Sequence, residues 1–478
     1  MNKSSEPIHE SFDVVVIGAG QAGPSLAATL AGRGSAVALV EARDLGGTCV
    51  NRGCTPTKTL RKSARVAHLA RRAGEFGVQV GAVEVDFAAA MQRMQERVEA
   101  SRGGLEEWLG GVDGLQIVRE HGRLAGRDGD AFVVRAGART LKAPRIMLNT
   151  GTRAFVPPID GLADVDFLDN DSLLALRERP RHLLVIGGSY IGLEMGQIFR
   201  RLGSEVTIVE AGPRLTSRED EDVSAAITQV LQDEGIAVHT GESIERVANA
   251  GNGVEVRLTD GTALPGSHLL VATGRVPNTD ELGLESIGLA TTKRGFIDTN
   301  GRLESSVPGV WALGDINGRG AFTHTSFHDQ EIVAANLDGA HRSAEGRPTT
   351  YAMFTDPPLG HVGLYEADAR SLVRDHGRNI SQAVVEMRDV SRAKEESETA
   401  GLFKLLVDED SGYFLGATIL GFGADEVIQV VSQLMAAGAT WRQVREALPI
   451  HPTVAEFLPT VLDRRKPLKP QNNTPGGD

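Results

Sequence analysis

The sequence predicts an α/β fold in which one strand–turn–helix–strand unit occurs twice, followed by an α+β domain. Two observations predict the repeat. Phe12 to Gly23 reads FDVVVIGAGQAG and Arg181 to Gly192 reads RHLLVIGGSYIG, each a β-branched run entering a glycine turn and then a helical pattern. Each copy then reaches a second apolar run that ends in an acid, VALVE at Glu41 and VTIVE at Glu210. The first glycine and the acid are 23 positions apart in both copies, Gly18 to Glu41 and Gly187 to Glu210. A third observation predicts the last domain. From about Thr349, TDPPLGHVGLYE, EMRDVSRA and FKLLVDEDSGYFLGATILG read as antiparallel strands with turns, and DEVIQVVSQLMAAGAT as an amphipathic helix.

Taken in order, the elements carry their own chemistry. Gly18, Gly20 and Gly23 form G-x-G-x-x-G directly after a strand. The first glycine allows the tight turn, the second lets a pyrophosphate approach the backbone, and the third lets helix and sheet pack closely. The helix N-terminus then offers free N–H groups to the phosphates. Pro24 suits the first turn of that helix, where a missing N–H costs nothing. Glu41 is placed to accept hydrogen bonds from a ribose diol. The second copy has Gly187, Ser189 and Gly192, with serine at the middle position, and its Glu210 would repel a 2′-phosphate and bind a free 2′-hydroxyl, which favours NADH. Arg214 and Arg218 lie just beyond and read as a solvated loop. Each copy also has a later strand running into a Thr-Gly turn, IMLNTG at Thr150 and Gly151, and LLVATGR at Thr273, Gly274 and Arg275. VPGVWALGD, ending at Gly314 and Asp315, reads as a further strand, with a helical pattern in DQEIVAANLDG. Phe87 to Leu109 reads as a charge-rich helix covering a sheet. Two dinucleotide sites in one chain imply an electron relay, and a flavin paired with a nicotinamide fits it better than two nicotinamides.

Composition narrows the partners. The 478 residues carry a formal charge of −13, which disfavours nucleic acid and anionic membranes. No run of about 20 apolar residues predicts a membrane span, and the polar start lacks the apolar core of a signal peptide, so a cytoplasmic location is expected. The 2 cysteines exclude a disulfide scaffold and a cysteine-rich metal cluster, and no metal site is expected. Cys49 and Cys54 lie five positions apart. On a regular helix that spacing rotates the side chains to about 140° from one another, so pairing requires a distorted turn, which Gly53 and Pro56 permit. Lys58 and a nearby helix start should lower a thiol pKa there.

GGTCVNRGCTPTKTL resembles the redox-active disulfide motif of class I pyridine nucleotide–disulfide oxidoreductases, flavoproteins that include lipoamide dehydrogenase, glutathione reductase and mercuric reductase. GAGQAG, GGSYIGLE, ATGRVPN, WALGD and HPTVAE extend the resemblance over nearly the whole chain. It implies two Rossmann-like dinucleotide-binding domains, for FAD and NAD(P), and a C-terminal α+β dimerisation domain. The implied limits are 1–152 and 277–346 for the FAD-binding domain, 153–276 for the NAD(P)-binding domain and 347–478 for dimerisation. FAD would be held by Gly18, Gly20, Gly23, Glu41, Gly47, Thr48, Lys58, Thr150, Gly151 and Asp315, with Gly122 near the adenine. Asp315 would hold the ribityl chain. The nicotinamide nucleotide would meet Gly187, Ser189, Tyr190, Gly192, Glu210, Gly274 and Arg275, with the Tyr190 ring gating its pocket. Lys58 would lie near flavin N5 and pair with Glu194. Cys54 would be the flavin-proximal thiol and Cys49 the thiol that attacks the acceptor.

His451 and Glu456 of HPTVAE would form an acid–base dyad supplied by the partner subunit, so a homodimer is implied. Their chemistry follows from the reaction. A thiolate that opens a disulfide releases a second thiolate, which needs a proton, and an imidazole oriented by a carboxylate delivers one near neutral pH. CVNRGCTPTKTL, FTHTSFHDQE and TDPPLGHVGL resemble the mercuric-reductase branch. Mercuric reductases carry a further C-terminal cysteine pair, whereas this sequence has 2 cysteines in all. The expected activity is therefore NADH-preferring transfer to a small-molecule or protein-bound dithiol/disulfide, as in lipoamide dehydrogenase, with NADP(H) as the other donor. Metal-ion or oxidant-response reduction by the same cysteines is the alternative.

Overall fold

A computed structural model describes residues 8–470. The polar segment before residue 8 and the tail QNNTPGGD lie outside the described residues. The first glycine-turn strand, Val14–Ile17, sits in a five-stranded sheet ordered Val310–Ala312, Arg145–Leu148, Val14–Ile17, Val37–Val40, Leu115–Val118, with every neighbouring pair parallel. The second, His182–Ile186, lies in a four-stranded parallel sheet ordered Ala237–Thr240, Glu205–Glu210, His182–Ile186, His268–Val271. In both sheets the glycine-turn strand has the acid-bearing strand on one side and the Thr-Gly strand on the other. Both faces of such sheets are covered, which is why these strands are near-continuous apolar runs; Val14, Val15 and Val16 are fully buried. The helices Gly23–Gly32 and Tyr190–Arg201 supply the first crossovers.

The chain passes between the two units through a short ribbon, in which Thr152–Ala154 pairs antiparallel with Arg275–Pro277. Each unit also carries a smaller sheet that the reading of the sequence passed over. One joins Gly122–Asp128, Ala131–Ala136 and Arg139–Ala143 antiparallel and adds Ile8–Ser11 parallel to the last of them; the other is the antiparallel meander Ile244–Ala250, Gly253–Leu258, Ala263–Gly266. The signal was present in short turns such as Asp260-Gly261, where Gly261 has φ +92°.

From Thr350 a six-stranded antiparallel sheet runs in the order Thr350–Met353, Leu359–Gly363, Phe414–Leu420, Leu402–Asp408, Ile380–Glu386, Lys466–Pro467. The helix Ala424–Ala436 packs on it, as its amphipathic pattern predicts. Two expectations are corrected. EMRDVSRA is not a strand beyond Glu386: Met387–Asp389 and Ser391–Glu395 are helical turns, held by Arg392 paired with Glu395 and Glu396. The charged helix, Phe87–Gly110, is capped by Asp86 and covers chiefly the helix Cys54–Arg71 rather than a sheet.

Candidate active site

The two glycine turns have the same geometry. Gly18 and Gly187 have φ of +101° and +111°, and a Cβ at either would stand 2.4 Å from a carbonyl oxygen, that of Asn149 or of Ala272. A Cβ at Gly23 or Gly192 would stand 2.1 Å from the oxygen of Gly18 or Gly187. The acids match too. Glu41 accepts the Ala19 and Arg43 N–H groups at 2.6 and 2.8 Å, and Glu210 accepts those of Gly188 and Gly212, both at 2.7 Å. The turns differ at the middle position. Asn149 Oδ1 accepts the Gly23 N–H at 2.9 Å and would lie 2.8 Å from a Cβ on Gly20. Its counterpart in the second copy is Ala272, which has no such oxygen, so Ser189 is accommodated. Asn149 was not among the residues singled out from the sequence.

A cleft of about 550 Å³ opens at the first turn, lined by Gly18, Gly20, Glu41, Gly47, Thr48, Gly122, Thr150 and Gly151. The backbone cradle and flanking acid fit the adenosine diphosphate half of a flavin dinucleotide. Asp315, in the turn Gly314–Asn317, accepts the Thr152 hydroxyl at 3.1 Å. Burial pushes its carboxyl above the ordinary carboxylate range, with Arg275 opposing. Arg275 donates to the Thr152 hydroxyl at 2.7 Å and to the Thr152 carbonyl at 2.6 Å, and lines this first cleft. The resemblance put Arg275 with the second nucleotide; the ribbon carries it to the first. Gly274 accepts the Phe155 N–H at 3.0 Å at the start of that ribbon.

The cysteines occupy a broken helix. Gly47–Arg52 ends at Gly53, and a new helix, Cys54–Arg71, starts at the second cysteine. The break brings the thiols close enough for each to shift the other's titration despite their spacing, and both are free. The Cys49 contact is the largest of the influences that pull the Cys54 thiol down to about 6; the Thr323 hydroxyl, 3.3 Å from its sulfur, and the Lys58 charge add to it against desolvation. The same contact pushes the Cys49 thiol far up. Lys58, one turn along the second helix, pairs with Glu194 at 2.9 Å, and its ammonium lies 4.4 Å from the centre of the Phe354 ring. Glu194 is 5 % exposed and also accepts the Phe354 N–H at 2.7 Å. Thr323 and Phe354 were missed because nothing near the cysteines in sequence points to them. Tyr190 begins the helix after the second turn, its ring 6.0 Å from Phe322.

His451 Nδ1 lies 3.0 and 3.1 Å from the two Glu456 oxygens. Among the described residues no hydrogen bond joins this dyad to the cysteines of the same chain. Its imidazole is 73 % exposed, and Leu448 and Ile450 beside it are 95 % and 79 % exposed. No helix among the described residues is long and apolar enough to cross a membrane.

Two nucleotide-cradling turns around a thiol pair, with an ion-paired lysine beside it, define a flavin- and nicotinamide-linked thiol oxidoreductase. The chain belongs to the pyridine nucleotide-disulphide oxidoreductase family, which it matches over residues 12–329, with the dimerisation domain of that family at 349–462. That family binds FAD and a pyridine nucleotide. A mercuric reductase of Streptomyces lividans is 35 % identical over 458 residues, covering 94 % of this chain and 95 % of the relative. A dihydrolipoyl dehydrogenase of Synechocystis is 33 % identical over 95 % of this chain and 98 % of its own. The solved structure of RclA from Escherichia coli, described as an HOCl-induced flavoprotein disulfide reductase, superposes with a TM-score of 0.85 at 32 % identity, covering 94 % of this chain and 99 % of that one.

Proposed function

We propose that this flavoprotein oxidoreductase draws electrons from NADH and exchanges them with a dithiol/disulfide acceptor at Cys49, as a cytoplasmic homodimer. The observation that carries the reading is the broken helix that sets Cys49 beside Cys54, with the Thr323 hydroxyl 3.3 Å from the Cys54 sulfur and Lys58 one turn along the second helix. FAD, held by the first glycine turn, Glu41 and Asp315, would supply a two-electron relay between nicotinamide and thiols. The chain's own residues do the rest. Lys58 and Thr323 keep negative charge on Cys54. His451 of the partner subunit takes the Cys49 proton as Cys49 Sγ attacks the acceptor disulfide and forms a mixed disulfide, and it hands that proton to the departing sulfur. Cys54 then attacks Cys49 Sγ, closing the Cys49–Cys54 bond and freeing the second acceptor sulfur. Two electrons pass to the acceptor with the Cys49 proton, and the second freed sulfur takes its proton from solvent. With a dithiol substrate the steps run in reverse.

Exposed Leu448 and Ile450 around the dyad support a partner covering that face. The interdomain ribbon supports assigning 1–152 and 277–346 to the FAD-binding domain, 153–276 to the nicotinamide domain and 347–478 to dimerisation. A thiol pair that cycles on nicotinamide electrons suits the cytoplasm, where disulfides are transient and catalytic. His451→Ala is expected to lower acceptor turnover by about 10²- to 10⁴-fold, while NADH still reduces the thiol pair at the wild-type rate in rapid mixing.

The NADH preference rests on Glu210 and on what its neighbours do. Arg214 donates to the Ser217 and Glu219 carbonyls, both at 3.3 Å, so it is folded onto its own loop rather than offered to a 2′-phosphate. Glu210→Arg is expected to shift the NADH-to-NADPH ratio of kcat/KM by about tenfold or more toward NADPH; an unchanged ratio would show that Glu210 does not read the ribose. Turnover with dihydrolipoamide, glutathione disulfide and Hg(II), each with both nucleotides, tests the acceptor class. One observation favours a second reading. Cys54 is exposed beside Cys49, a pair of soft sulfur ligands open to a cation. A Cu(II) complex of the structural relative RclA is known, and mercuric reductases are among the sequence relatives. Metal turnover without disulfide turnover would establish that alternative.

A further inference from the structure

Glu219 lies in the loop beyond Glu210 and is 3 % exposed. One carboxyl oxygen accepts the hydroxyl of Tyr351, on the first strand of the C-terminal sheet; the other is buried without a partner. The Tyr351 ring stacks on Phe322, with centroids 5.4 Å apart and planes within 5°, and Phe322 is the ring against Tyr190. On its other side Tyr351 meets His361 at 5.3 Å, which stacks on Tyr365 at 4.0 Å. A row of rings thus runs from the second glycine turn into the C-terminal sheet, and Glu219 is the polar anchor of its middle ring. The thiol chemistry uses none of the anchoring groups.

We propose that Glu219 is a positioning residue for the nicotinamide pocket, acting on Tyr190 through Tyr351 and Phe322. The proposal rests on reading the second glycine turn as the nicotinamide site. Burial, with Asp220 beside it, pushes the Glu219 carboxyl up to about 8, so it is neutral at pH 7 and its proton can sit on the partnerless oxygen. From its own segment Asp220 lies beside it and raises its carboxyl. From the C-terminal domain come Tyr351, Lys404, whose charge opposes that rise, and Tyr365, whose hydroxyl lies 3.0 Å from that of Tyr351. Lys404 is taken by Asp220, Asp222 and Glu366 at 2.7 to 2.9 Å. Burial holds His361 down at about 4 and the Tyr365 hydroxyl up, so neither changes charge with Glu219. Tyr351 is the donor of this hydrogen bond, so the acid and the carboxylate forms of Glu219 both accept it.

Calorimetric titration of NAD+ into the oxidised holoenzyme reads this directly. Tyr351→Phe, which retains the ring but frees the carboxyl, and Glu219→Leu, which removes the acceptor, should each weaken Kd about fivefold or more. Glu219→Gln, whose amide oxygen still accepts the hydroxyl, should keep the wild-type Kd. A Tyr351→Phe or Glu219→Leu protein that binds NAD+ as the wild type does, or a Glu219→Gln protein as weak as Glu219→Leu, overturns the proposal. If NAD+ does not bind the wild type, the reading of the second turn itself fails.

Discussion

Cys54→Ser is expected to lose about 10³-fold or more of acceptor turnover while retaining bound FAD and reduction by NADH. Anaerobic titration should show wild type taking up two electron pairs per chain and the variant one. The long-wavelength absorption of a thiolate beside oxidised flavin should appear in wild type and be missing from the variant. Its pH dependence follows from the contacts. Cys49 foremost, then Thr323 and Lys58, favour the charged form, so the thiolate is populated above about 6 instead of 9.0. The stabilisation those contacts give is present above the ordinary thiol value and is lost as pH falls through about 6. The absorption should therefore grow in around pH 6, and Thr323→Val should move that midpoint upward. A wild-type protein that never takes the second electron pair would sink the thiol relay.

Gly20→Ser should weaken FAD binding to the apoprotein by about 10- to 100-fold, the equivalent of overpacking a tight site. Ser189→Gly should alter nicotinamide binding by about twofold or less. The same exchange gives opposite results because of one distant side chain. Asn149 Oδ1 fills the place a Cβ on Gly20 would take, whereas Ala272 leaves that place open beside Ser189. Fluorescence titration with FAD measures the first effect. Equal tolerance at both turns would show that Asn149 does not set the difference.

That contrast shows what was legible in the sequence. Positive φ and backbone close approach admit glycine and little else, so Gly18, Gly23, Gly187 and Gly192 announce the turns by themselves. The parallel sheets were legible as buried apolar runs, and the broken cysteine helix as a spacing that no regular helix could pair. The serine at 189 read as a flaw, since its reason sits on another strand. Asn149 bonds a residue 126 positions away, Thr323 meets Cys54 across 269, and Phe354 reaches Glu194 across 160. Contacts made only by folding leave no local pattern. Arg275 shows the converse. Its motif was clear, but motif position does not say which of the two glycine turns a long side chain faces. EMRDVSRA misled because a short run with few apolar residues carries no decisive period.

The ribbon of Thr152–Ala154 against Arg275–Pro277 means that the chain leaves the first glycine-turn unit and returns to it at adjacent points. The second unit is in effect a cassette with both leads on one socket. Such a cassette can be unplugged and the leads joined by a tight turn, or exchanged for another folded unit whose ends lie one strand spacing apart. The thiol pair and its flavin cradle would then be wired to a different electron source with their own sheet uncut.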